Sequence, residues 1–574
     1  MKRMTTAAGL ALLGLAVSAC ATQATGELSS RAPPSTSDPA SAASYAPIDP
    51  ERLSQLTRAF AADELQGRAP GTEGERRTIE WLSGQFAALG LEPGGENGGW
   101  TQRVPLIRTQ VQSPASFSVR SHGETLTLQS PSDIYVSTVR AAERARIEAA
   151  PMVFVGYGVS APERQWDDFK DADLTGKVAV FLVNDPDFEA QPGDPVAGRF
   201  GGQAMTYYGR WAYKFEEAAR RGAIAALVVH ETEAAGYGWN TVEAPAGENY
   251  NVVLPPDARQ PVLLQGWIQW DAAADLLRRA GQDLAAVKRQ ARTAAFRPID
   301  LGATLSADLP VTVEAVESHN VIARLPGASR PDETIVYGVH WDAYGIGPAD
   351  ARGDRIRNGA HDDALGTAAM LEVARAFREG PPPERSIVFA AWTAEERGLL
   401  GSEYYARNPL YPLETTVANI TLDTLQSAGP ARDVILIGEG QSEMEDWLAR
   451  MAASQGRRVT PDSHPERGLF YRADHFSLAK RGVPVLLLMA LGGGADLVQG
   501  GREAGDAWVT RFTADCYHQP CDDWSADWDL RGAAQDGSLA YRIGRELAFT
   551  DVWPGWREAS EFRAVRERSA ERRR

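Results

Sequence analysis

Residues 387–402 read I-V-F-A-A-W-T-A-E-E-R-G-L-L-G-S. The run Ile387 to Trp392 is apolar throughout, which predicts a strand buried on both faces. Thr393 ends it, and two adjacent carboxylates follow, Glu395 and Glu396. Like charges side by side at the end of a buried strand are costly unless something positive neutralises them. Two metal ions would do so, with one Glu as a ligand and its neighbour free to act as a base. A solvated Glu pair opening a helix, where negative charge is also welcome, is the other reading this stretch allows.

The surrounding pattern, from Asn320 onward, alternates strand and helix. Ile335–Val339, Val417–Leu422, Val434–Ile437 and Val483–Met489 read as strands. Ala368–Phe377 and Leu399–Ala406 read as amphipathic helices. Such alternation predicts an α/β fold, a mostly parallel mixed sheet flanked by helices, with its site at the carboxyl ends of the strands. Candidate ligands fall at those ends. His340 follows Ile335–Val339 with Asp342 two residues on, and Asp423 closes Val417–Leu422. Asp362 sits in N-G-A-H-D-D-A-L-G just before a helix. Mixed imidazole and carboxylate donors suit zinc, with cobalt or manganese as substitutes.

Length and charge bound the rest. A chain of 574 residues exceeds one core, and 43% hydrophobic with 24% charged residues is ordinary for a globular protein. A net charge of −17 argues against a nucleic-acid partner. The first residues have a basic head, an apolar run from Ala7 to Val17 and then V-S-A-C, the parts of a secretory leader ending in a lipoprotein-like box. The expectation is a leader over 1–19, lipidation of Cys20 and a Ser/Thr/Ala/Pro-rich tether over 20–48. Ala21 after Cys20 is not the Asp that would retain a lipoprotein at the inner membrane, so the expected place is the outer membrane facing the periplasm. The membrane would be touched only through this anchor.

Residues 49–128 read as the first part of the main domain, with turn-rich G-R-A-P-G-T-E-G between two helical runs. Residues 129–309 read as an insertion with its own core: strands near 151–158, at Val178–Val183 and at Ala223–Val229, and helices at 213–222, 271–280 and 283–292. The main domain resumes over 310–553, and 554–574 reads as a charged tail, solvated or disordered. Cys516 and Cys521 are five apart, a plausible short-loop disulfide in an exported chain. His122, His230, His319 and His464 read as structural or surface residues.

The chain resembles the co-catalytic zinc aminopeptidase and glutamate-carboxypeptidase family, in its branch with an inserted, β-rich α+β protease-associated domain. The resembling blocks are H-W-D at 340–342, G-A-H-D-D-A-L-G at 359–366, T-A-E-E-R-G-L-L-G-S at 393–402, L-D at 422–423, R-A-D-H at 472–475 and C-Y-H-Q-P-C-D at 516–522. The resemblance implies two zinc ions. One would take His340 and Asp423, the other Glu396 and His518, and Asp362 would bridge them. It implies Glu395 as general base to a metal-bridging water, Asp342 as the carboxylate orienting His340, and Tyr517 as an oxyanion donor. It also implies Arg472 as a substrate contact and a Cys516–Cys521 disulfide. It chooses His518 over His475 as the last ligand and leaves His361 out. The sequence departs from the family at Leu365, where Ser is usual, and at Ala473, again in place of Ser.

The implied function is aminopeptidase action on peptides by a monomer or homodimer. Three readings compete: a carboxypeptidase or dipeptidase of the same family, a receptor-like binding protein without catalysis, and a single-zinc cyclase.

Overall fold

The computed structural model describes residues 47–573. The leader expected over 1–19, the lipidated Cys20 and nearly all of the tether therefore lie outside the described residues. No helix among the described residues is long and apolar enough to cross a membrane.

The chain opens with α1 (Pro50–Phe60) and α2 (Glu73–Ala88), each with a side-chain N-cap, Asp49 and Thr72. The strands that matter here are β1 (Thr101–Val111), β2 (Arg144–Phe154), β3 (Val178–Leu182), β4 (Ala225–His230), β5 (Leu264–Gln269) and β6 (Ile299–Leu325). They continue with β7 (Arg330–His340), β8 (Arg385–Trp392), β9 (Thr416–Leu422) and β10 (Val485–Leu488). Between them run α3 (Trp211–Arg220), α4 (Trp270–Arg279), α5 (Leu284–Ala291), α6 (Leu365–Glu379), α7 (Leu400–Arg407), α8 (Arg531–Phe549) and α9 (Arg563–Arg568).

The main sheet runs β10-β9-β7-β8-β6. The first four strands are parallel, and β6 is antiparallel to β8. Every residue of β8 and of β9 is buried, as parallel strands covered on both faces require. Helices α6 and α8 pack on one another beside β7, β8 and β9. Val434–Ile437 behaves differently from expectation. Its strand (Asp433–Leu436) leaves the main sheet and pairs with Arg458–Pro461 in a small one of its own.

The insertion forms a second run, β6-β2-β3-β4-β5, in which β2 to β5 are parallel. Its two faces bury different sets. Phe154, Val180, Leu227 and Ile268 face α4 and α5, and Val155, Phe181 and Val228 face α3. β6 belongs to both runs. Its first part pairs with β2, its middle with β1 over Val311–Val321, and its end with β8. The division expected at residues 309 and 310 thus falls inside one unbroken strand of 27 residues.

Of the segment 554–574, expected as a solvated or disordered tail, the described part 554–573 packs instead. Trp556 and Phe562 are buried with Phe470, Tyr471 and Phe476. Arg566 is buried and donates to the carbonyls of Thr416 and Val417, at 2.9 and 3.3 Å. These carbonyls start β9, so the charged side chain completes hydrogen bonding at the strand's entry.

Candidate metal centre

Three parallel strands deliver the donors to one edge. His340 is the last residue of β7 and pairs with Trp392, the last of β8. Gly338 pairs with Thr421, so two residues later His340 and Asp423 leave the sheet side by side. Asp362 arrives from the turn before α6. Gly366 matters there, because a Cβ at that position would lie 2.1 Å from Asp363 Oδ1. The peptide bond joining Asp362 and Asp363 is cis.

Two groups of donor atoms result, His340–Asp362–Asp423 and Asp362–Glu396–His518, each with its atoms within 4.8 Å of one another. Asp362 is common to both. His340 Nε2 lies 3.1 Å from Asp362 Oδ1, and His518 Nε2 lies 3.3 Å from Asp362 Oδ2 and 3.2 Å from Glu396 Oε2. All five residues expected as ligands are brought together, and Glu395 adjoins them without belonging to either group.

The electrostatics of this cleft call for cations. Burial first, and then neighbouring carboxylates, push the Glu395 and Glu396 carboxyls well above the usual range. Burial raises Asp423 to about 6. Burial would raise Asp362 too, but its contacts with His340 and His518 hold it below the ordinary range. His340 shows the converse. Burial would lower it, yet Asp362 and the surrounding acids drive it well above. An imidazole forced to keep a proton among buried acids marks where a metal would sit. Asp362 Oδ2 and His518 Nε2 lie 3.3 Å apart, buried and without a hydrogen bond among the described residues, a cost that a bound cation removes. The donors present therefore fit a pair of zinc ions, which take imidazole nitrogen and carboxylate oxygen.

Around the donors, a ring of buried groups fixes their direction. His340 Nδ1 donates to the backbone carbonyl of Asp342 at 3.0 Å, with the Asp342 carboxylate further off at 3.8 Å. That carboxylate instead accepts from the backbone N–H of Glu395 at 2.9 Å. Asp342 thus steers both the imidazole and the neighbouring acid, through different atoms. Asp363 accepts from the N–H groups of His340 and Thr424, both at 3.3 Å. Asp522 accepts from the N–H of Asp362 at 3.2 Å and sits 2.8 Å from His361 Nδ1, while His361 Nε2 meets Ser427 Oγ at 2.8 Å. His361 is held by these partners and is not in either donor group. Asp363 and Asp522 were not singled out from sequence. Each stands next to a residue that was, and adjacency was the only signal.

His518 has φ +63° and lies between the rings of Tyr344 and Tyr517, at 4.6 and 3.7 Å between centroids. Cys516 and Cys521 are disulfide-bonded beside it. Burial, then the charge of Asp362, pushes the Tyr517 hydroxyl well above its usual value, so it stays a donor. The positive charge of Arg472 acts on Asp423 and Tyr517. His475 is fully buried against Phe470, lies outside both donor groups, and is driven down to about 3 by burial.

Fold and site together define an α/β protein with two adjoining groups of nitrogen and oxygen donors, joined through Asp362, on the carboxyl edge of its parallel strands. Residues 320–541 match the family model of Peptidase family M28. The chain is 28% identical over 248 residues to leupeptin-inactivating enzyme 1 of Streptomyces exfoliatus, covering 42% of this chain and 52% of that one. It is 34% identical over 149 residues to aminopeptidase NAALADL1 of Mus musculus, covering 23% of this chain and 18% of the relative. Among solved structures, an aminopeptidase from Aneurinibacillus sp. strain AM-1 aligns with a TM-score of 0.46 and 20% identity, over 86% of this chain and 94% of that one. The chain thus spans about half the length, or less, of these two curated relatives.

Proposed function

We propose that the protein is an exported, zinc-dependent aminopeptidase that hydrolyses the N-terminal peptide bond of peptides. The observation carrying this reading is Asp362, shared between two donor groups with the uncommitted carboxyl of Glu395 beside them. His340 and Asp423 would hold one zinc, Glu396 and His518 the other, and Asp362 both; cobalt or manganese would substitute. Bound there, zinc would supply Lewis acidity and lower the pKa of water towards ~7.

The chain's own groups then do the rest. Glu395, fixed through its backbone by Asp342, accepts the proton of the attacking water and returns it to the leaving amine. The Tyr517 hydroxyl donates to the oxyanion, an effect worth about 2.7–4 kcal/mol for one such donor. Arg472 adds positive charge near the substrate, which is the observation favouring the second reading, a carboxypeptidase or dipeptidase recognising a free carboxylate. The mouse relative's designation as an aminopeptidase favours the first. The leader-like start and Cys20 support export as a lipid-anchored protein of the outer membrane, facing the periplasm.

The test is an assay of an aminoacyl anilide against an N-blocked dipeptide, with and without chelator, alongside metal content. Chelator-sensitive cleavage of the anilide with two zinc ions per chain is expected. A purified chain that binds no zinc and cleaves neither substrate overturns the reading and leaves the receptor-like alternative. One zinc per chain revives the cyclase alternative.

A further inference from the structure

The turn-rich G-R-A-P-G-T-E-G stretch has no part in the chemistry above, yet it sends one side chain into the base of the metal centre. Arg68 is 1% exposed. Its Nε donates to the carbonyl of Trp341 at 2.7 Å, and its Nη1 donates to those of Phe60 at 3.0 Å and Asn358 at 2.5 Å. Nη2 donates to the carbonyl of Gly359 at 3.0 Å. Trp341 lies between His340 and Asp342, and Asn358 and Gly359 lead directly into Asp362. One planar guanidinium therefore joins the two turns that present the donors.

The local backbone is shaped for this. Gly67 has φ +64°, and a Cβ there would lie 2.7 Å from the carbonyl oxygen of Arg357 and 2.8 Å from that of Gly345. The main chain thus approaches closer than any other residue allows. Arg68 itself has φ +50°, and its carbonyl accepts from the N–H of Ala343 at 3.4 Å. The same loop also reaches the third arm of the site. Glu75 accepts from the N–H of Gly71 at 2.5 Å and from Ser318 Oγ at 3.0 Å, and Ser318 Oγ meets Thr393 Oγ1 at 2.5 Å. Thr393 ends the strand that delivers Glu395 and Glu396.

Among the described residues no carboxylate hydrogen-bonds the Arg68 guanidinium; its bonds are all to carbonyls. A buried cation held this way is costly, and the acids that compensate it are Asp342, Asp522, Asp363 and Asp362, the acids of the metal centre and its supports. Burial pushes the guanidinium down to about 10, so it stays charged at neutral pH. We propose that Arg68 is the positioning residue of the metal centre, setting the separation between the His340–Asp342 turn and the Asn358–Asp362 turn so that His340 and Asp362 meet a metal together. The proposal rests on the metal-centre reading above and adds a residue to it. Lysine cannot replace it, because an ammonium presents three donors from one point, whereas the guanidinium spreads its donors over a rigid fork.

The experiment titrates the full, metal-stripped chain with cobalt and follows its visible absorption. It uses wild type, Arg68→Lys and a matched control, Arg385→Lys. Arg385 is also fully buried and donates to carbonyls, those of Leu547 and Val552, with its Nε paired to Glu333 at 2.6 Å. It begins β8, about 25 Å of strand away from the site. Arg68→Lys is expected to weaken cobalt binding about 10–100-fold and to alter the absorption band, while Arg385→Lys lowers the melting temperature without changing either. Equal cobalt binding by Arg68→Lys and wild type overturns the proposal, as does an equal loss in both variants. Wild type that takes up no cobalt overturns the metal-centre reading with it. Should Arg68→Lys not fold, Arg68→Gln is titrated in its place. If neither folds while Arg385→Lys does, the residue serves folding and the proposal falls.

Discussion

Glu395 and Glu396 are neighbours to which the proposed mechanism gives opposite duties, and substitution separates them. Glu395→Gln keeps the side chain's size and lies outside both donor groups. It should retain metal and lose about 10²–10⁴-fold in kcat. Glu396→Ala should lose metal from the site it shares with His518. Metal content measured on both variants, with kcat beside it, checks the assignment; equal turnover by Glu395→Gln and wild type removes that residue from its role. His475 gives a prediction of another kind. Its imidazole is driven down to about 3 by burial, whereas in an unfolded chain it takes a proton near ~6.5. Above that pH it is neutral in both states and contributes nothing. As pH falls from ~6.5 towards 3, only the unfolded chain gains the proton, so stability declines by up to about 1.4 kcal/mol per pH unit. His475→Gln should flatten that part of the profile, read as urea midpoints between pH 6.5 and 4.5; an unchanged slope counts against the assignment. At this scale His340, Glu396, Asp423 and Asp362 were legible as candidates from sequence because each follows an apolar run or precedes a helix, whereas His518 was chosen over His475 only by the family resemblance. Arg68, Asp363 and Asp522 were not, because nothing in a linear chain distinguishes a guanidinium or carboxylate that will be buried from one that will be solvated.

At the scale of elements, β8 and β9 announced themselves as unbroken apolar runs. β6 did not, although the signal was present: Leu301, Ala303, Leu305, Ala307, Leu309 and Val311 are buried at every second position, the alternation of a strand with one covered face. Gly302 and Pro310 lie within it, residues that ordinarily weaken or end a strand. The final segment misled for the opposite reason. Its Arg and Glu residues look solvated, yet Arg566 closes the start of β9 and Glu561 accepts from Tyr471 Oη at 3.1 Å. Arg566→Ala should therefore cost about 1–3 kcal/mol by leaving two buried carbonyls unpaired, with kcat unaltered. Chemical denaturation and a rate assay on the same preparation decide it. A stability loss within ~0.5 kcal/mol would return the segment to the status of a passive tail.

For the whole molecule, the insertion and the main domain meet through aromatic contacts, such as Tyr207 against Phe476 at 5.0 Å between centroids, and through polar ones. Lys480 bridges Glu216 of α3 and Glu403 of α7 at 3.4 and 3.1 Å, and the N–H of Met205 donates to the carbonyl of Pro465 at 3.1 Å. Pairings between residues so far apart in sequence leave no local trace, and the sequence accordingly showed a second core without showing how it docks. The metal centre draws on β7, β8, β9, the turn before α6 and the disulfide-closed loop, so its occupancy should be felt globally. Zinc at 100 times its Kd should stabilise the folded chain by about 2.7 kcal/mol. Chelation should lower the temperature of the transition that includes these strands, and re-addition of zinc should restore it. A melting curve indifferent to chelator would argue that no metal is held there.

The 27-residue strand shared by the two sheets has a consequence for anyone wishing to transplant the insertion. Its partner limb runs alongside it residue for residue, from Val311 opposite Val111 to Val321 opposite Thr101. The insertion therefore hangs on a two-lane bridge rather than on a hinge. Trimming one lane by a single residue would turn every side chain beyond the cut to the wrong face. A graft that keeps both halves intact must sever the lanes at opposed positions and remove equal, even lengths from each.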